Sequence, residues 1–106
     1  MTDGSPNDES EREARIQRLA DRLDATEERP VTREANAYLG EAAAVARDLA
    51  DHDADPAVVR ERAGHVVDLL DELDGTGDDE ADSHVDAARA LAAELAAEPD
   101  ATEDRG

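Results

Sequence analysis

The chain contains no lysine, no cysteine, no phenylalanine and no tryptophan, and its one aromatic residue is Tyr38. Without cysteine there are no disulfides, no thiolate metal ligands and no thiol nucleophile. No apolar run approaches the roughly 18 to 20 residues that a membrane-spanning helix needs. The opening Met1-Thr2-Asp3-Gly4-Ser5-Pro6 has neither a positive n-region nor an apolar h-region, so no signal peptide is expected. Nucleic-acid binding leaves a basic footprint, and here 30 Asp and Glu stand against 11 Arg, for a net charge of −19. Such a chain repels phosphate backbones and anionic lipid alike. The expectation is a cytoplasmic protein that binds neither nucleic acid nor membrane.

What is present is acid, alanine and arginine. A GC-rich genome favours Arg over Lys and raises Ala, of which there are 22, but does not explain the excess of acids over Arg. An acidic surface adapted to concentrated salt does: near 1 M salt the Debye length is about 3 Å, and neighbouring carboxylates are screened from one another. In this respect the whole chain resembles the proteins of salt-loving archaea. Leu, Val and Ile together number only 17 of 106 residues, a composition that with this net charge leans toward disorder. Periodicity argues the other way.

Residues 1–9 read as a disordered tail, 10–98 as one helical domain and 99–106 as a second tail. Segment one is expected from about Glu11 to Asp24, with Ser10 and Glu13 at capping-box spacing and Ile16, Leu19, Ala20 and Leu23 on one stripe. Segment two is expected from about Thr32 to Asp51. Its face carries Ala35, Tyr38, Leu39, Ala42, Val45, Ala46 and Leu49. Segment three is expected from Pro56 to Leu73, with Asp55 as N-cap and Asp74-Gly75 as a glycine cap. Its apolar face is the widest, which predicts the centre of the core. Segment four is expected from about Asp82, or a turn earlier, to Ala97, with Ser83 and Asp86 at N-cap spacing and Pro99 beyond it. No run alternates with period two, so no strand is expected. The expectation is all-α: a small antiparallel bundle of about four helices, as a three-helix core plus a detachable N-terminal helix.

The run Asp55-Pro56-Ala57-Val58-Val59-Arg60-Glu61-Arg62-Ala63 to Leu73, followed by Gly75-Thr76-Gly77-Asp78-Asp79-Glu80, resembles short haloarchaeal helical proteins of unknown function. It is more faintly similar to a broader archaeal family of uncharacterised small helical bundles. The resemblance implies fold and compartment, and carries no site motif.

Candidate sites are few. Asp51-His52-Asp53-Ala54-Asp55 opens like a calcium loop, but Pro56 stands where Gly is needed and Arg62 where Glu is needed. Gly75-Thr76-Gly77-Asp78-Asp79-Glu80 has the glycines of a phosphate loop but no Lys, and acids where phosphate would lie. His52, His65 and His84 each follow an acid by four residues, but they fall on different parts of an antiparallel bundle and are not expected to converge. The serines are Ser5, Ser10 and Ser83, and no triad is legible. No catalytic, cofactor or metal residue is expected, and Tyr38 reads as a core or boundary residue. The distinctive feature is Arg15, Arg18 and Arg22, which flank the first stripe. Residues 1–33 carry six Arg against nine acids, and the remainder five Arg against 21 acids. Either these arginines pair internally with the acidic helices, or the edge docks an acidic protein partner or a second copy; the chain reads as a non-enzymatic interaction module. The alternative is a small-molecule or metal-binding regulator that uses carboxylates and a histidine.

Overall fold

A computed structural model describes residues 5–51 and 55–97, with side chains from Ser10 onward. Within these residues there are four α-helices and no strand: α1 Ser5–Thr26, α2 Arg33–Asp51, α3 Pro56–Asp71 and α4 Asp79–Ala97. Of the expected N-terminal tail 1–9, residues 1–4 lie outside the described residues, whereas 5–9 are helix and so correct that expectation; the expected tail 99–106 and His52 also lie outside the described residues.

The ends of the helices follow from local chemistry, with several departures from expectation. α1 begins at Ser5, so Ser10 and Glu13 lie inside a helix and do not cap it. Pro6 is compatible with that earlier start, because the first-turn N–H groups have no intrahelical acceptor. Thr32 caps α2: the Ala35 N–H donates to Thr32 Oγ1 at 3.1 Å, and the Asn36 N–H donates to the Thr32 carbonyl at 2.8 Å. Asp55 holds the extended N-cap conformation ahead of Pro56, but its side chain makes no capping hydrogen bond. α3 stops at Asp71, with Glu72 still right-handed, so Gly75 does not cap it. The positive φ of Gly75 (116°) and Gly77 (88°) serves the following loop. α4 starts a turn earlier than Asp82. Its cap is Asp78, whose Oδ2 accepts the Ala81 N–H at 2.9 Å, and Ser83 is interior.

Each helix packs against two others. α1 and α3 both lie against α2 and α4, while the diagonal pairs α1/α3 and α2/α4 make no close approach. The bundle is therefore a four-sided ring. This corrects the expected three-helix core, since α2 and α4 do not close on each other without α1. α1 is integral: Leu19 and Leu23 are fully buried, and Ile16 and Ala20 nearly so. It also corrects the expected primacy of α3. That helix buries Val59, Ala63, Val66, Leu69 and Leu70, but Val58 is exposed and Val67 and Leu73 only half-buried. Much of the remaining interior is alanine: Ala42, Ala43, Ala46, Ala63, Ala88 and Ala92 have no exposed surface. Small side chains let backbones come close, which is how so few Leu and Val residues fill a core.

Candidate functional site

Arginines at heptad spacing on the α1 side reach across to the α4 side. Arg15 Nε donates to Glu94 Oε1 at 3.1 Å, Arg22 Nη1 lies 3.1 Å from His84 Nδ1, and Arg29 makes a forked contact with Asp78. Partner numbers fall as the Arg numbers rise, so α1 and α4 are antiparallel. Arg15 and Arg22 are thus engaged with α4, as the internal-pairing reading of this edge expects. Arg18 is exposed, and makes no hydrogen bond or ion pair among the described residues.

The third rung is the most elaborate. Arg29 Nε donates to Asp78 Oδ2 at 2.9 Å and Nη2 to Oδ1 at 3.2 Å, while Nη1 lies 3.5 Å from Glu80. The Arg29 guanidinium, aided by the Ala81 N–H, holds the Asp78 carboxyl below its usual range, and Asp78 in turn raises Arg29. Beside this pair lies Thr76, fully buried between two glycines. Its N–H donates to Asp82 Oδ1 at 2.8 Å, and its hydroxyl sits 2.8 Å from the same oxygen and accepts the Asp78 N–H at 3.2 Å. The Thr76 carbonyl accepts the Thr32 N–H at 2.8 Å. The α1–α2 link and the α3–α4 loop are therefore tied at one end of the bundle. Gly75-Thr76-Gly77 is a latch, and acids occupy the space beside it.

The remaining candidates disperse. His65 Nε2 lies 3.8 Å from Glu41 on α2. In neutral His84, an Nδ1 that accepts from Arg22 leaves the proton on Nε2, which removes the lone pair a metal would use. Among the described residues no three His, Asp or Glu side chains are grouped to hold a metal ion. Asp51 ends α2 and Asp55 precedes α3. Tyr38 is half-buried against the core.

Two more bridges tie the surface. Arg47 Nη2 of α2 contacts Asp24 at 2.6 Å and Glu27 at 3.0 Å, both of which raise Arg47. Arg89 of α4 donates to Asp71 of α3, which likewise raises Arg89. Between α3 and α4, above this pair, lies an open cleft of about 470 Å³. Neither the latch nor the cleft was expected. The one available signal was a threonine set between two glycines, beside Asp78 and Asp82.

The class is thus a small all-α four-helix bundle with acidic flanks. Residues 15–102 match the family described as a domain of unknown function, DUF8152, and the chain belongs to that family. No curated protein and no solved structure matches it. Among the described residues no helix is long and apolar enough to cross a membrane.

Proposed function

We propose that this member of the family is a salt-adapted, cytoplasmic interaction module of a salt-loving archaeon, and that it docks an acidic protein partner along the outer face of α1. It works without catalysis, cofactor or nucleic acid. The carrying observation is Arg18. It is exposed and without a partner among the described residues, between Arg15 and Arg22, on a chain of net charge −19. In concentrated salt only charges in contact act on one another, and Arg18 can meet an incoming carboxylate without first giving up a partner among the described residues. A core of small side chains under a screened acidic surface fits a protein that holds its shape in concentrated salt.

The test is affinity capture from native lysate at high salt with wild-type and Arg18→Glu protein. A partner retained by the wild type and lost by the variant supports the reading. Identical captured sets contradict it.

A further inference from the structure

We propose that Asp74 and Gly75, in the loop between α3 and α4, are a site of spontaneous aspartate isomerisation that loosens the Thr76 latch as the protein ages. The chemistry needs a main-chain nitrogen, next in sequence, that is free to reach the aspartyl side chain. It also needs a carboxyl that nothing else engages. Most of the described aspartates lie within helices, where the following N–H is tied back along the chain. Outside the helices are Asp55, Asp74 and Asp78. Asp55 precedes Pro56, whose nitrogen carries no proton. Both oxygens of Asp78 accept from Arg29, which keeps that carboxyl charged and a poor electrophile. Asp74 meets both conditions. Its carboxyl makes no hydrogen bond or ion pair among the described residues, and the Gly75 N–H donates to none of them. Both residues are exposed, and even a Cβ added at Gly75 would meet nothing within 4 Å. The other Asp–Gly pair of the sequence, Asp3–Gly4, lies outside the described residues.

The Gly75 nitrogen attacks Cγ of the protonated Asp74 carboxyl. A bond forms between them, and the amide proton and the carboxyl hydroxyl leave as water. The product is a cyclic imide, which water then opens. Attack at the side-chain carbonyl restores aspartate. Attack at the main-chain carbonyl breaks its bond to the Gly75 nitrogen, frees an α-carboxylate and leaves the chain running through Cβ and Cγ. Nothing is oxidised or reduced, and water is the sole co-reactant.

The isoaspartyl link adds one carbon to the path between Leu73, half-buried against the core, and the fully buried Thr76. Thr76 holds Asp82 through its N–H and Thr32 through its carbonyl. A longer approach to Thr76 shifts both contacts, and so loosens the tie between the α1–α2 link and the α3–α4 loop.

The experiment ages the folded full chain in concentrated KCl at about pH 5, toward the range in which aspartyl carboxyls protonate. A free peptide of residues 73–78 is aged beside it. Isoaspartate is read by methyl transfer from S-adenosylmethionine with an isoaspartyl methyltransferase, and is placed in the chain by electron-driven fragmentation. Among the described aspartates it should accumulate at Asp74 ahead of all others, at a rate comparable to the peptide. Asp74→Glu, which would have to close a larger ring, should suppress it. In the separated isoaspartyl form, the Thr32 and Thr76 amides should exchange with solvent several-fold faster than in the parent. An unreacted Asp74 in the folded chain beside a converted peptide would overturn the proposal. So would equal accumulation at helical aspartates, or unchanged exchange at Thr32 and Thr76.

Discussion

The Asp78 carboxylate does two jobs with one oxygen: Oδ2 caps α4 through the Ala81 N–H and receives the Arg29 guanidinium, each at 2.9 Å. Because its folded pKa is depressed, its charged form contributes stability that is complete above the ordinary Asp range. That contribution is lost as pH falls through the lower folded value. Asn caps a helix about as well as Asp but carries no charge. Asp78→Asn should therefore be less stable than wild type near neutral pH, and the gap should begin to narrow below about pH 4, where the carboxyl of the unfolded chain protonates, and close as pH falls through the lower folded value. Denaturant midpoints from pH 3 to 7, in concentrated KCl, measure this.

Gly77 and Gly40 should respond in opposite directions to alanine. Gly77 has φ 88°, and an added Cβ would meet Thr32 Cγ2 at 3.1 Å, against the neighbouring loop. Gly77→Ala should cost about 1 to 3 kcal/mol. Gly40 lies within α2 with nothing near an added Cβ. Gly40→Ala should stabilise by about 0.5 to 1 kcal/mol. Thermal melts of the two variants settle the signs.

Much of the fold is written in the 3.6-residue period. Ile16, Leu19, Ala20 and Leu23 point inward as their spacing requires, and so do Ala35, Leu39, Ala42, Ala46 and Leu49. The centre of the core was not legible from the width of each stripe. A wide face on α3 leaves Val58 outside, whereas the narrow face of α1, with Ile16, Leu19, Ala20 and Leu23, is fully used. Caps were less legible than faces. Thr32 was expected only as the start of α2, not as its cap, and Ser83 and Asp86 stood at cap spacing where the cap is Asp78, whose role is fixed by the Arg29 contact nearly fifty residues earlier in the chain. The same long-range pairing hid the site. Arg15 and Arg22 look free on a helical wheel of α1 alone, and find Glu94 and His84 only once α4 lies alongside.

Folding should depend on salt. With a charge of −19 over a thin apolar core, screening relieves repulsion while concentrated salt supports apolar burial. Circular dichroism from about 0.1 to 3 M KCl should show helicity rising to a plateau. Flat, full helicity over that range would contradict this.

Leucine truncations should cost alike in α1 and α3. Leu23 is fully buried and Leu69 is 8% exposed, so Leu23→Ala and Leu69→Ala should each cost about 2 to 5 kcal/mol. Asp68→Ala, at the surface, should cost far less. Chemical denaturation in high salt measures all three.

The central claim is that α1 is one side of a four-helix ring and not an arm laid on a three-helix core. Amide hydrogen exchange in concentrated KCl tests it most directly, by comparing the amides around Leu19 and Leu23 with those around Val66 and Leu70. Elements that open only with the whole fold share one opening free energy. The ring predicts equal protection in the two helices, lost together as denaturant is added. Exchange of the α1 amides well ahead of those in α3 would contradict it.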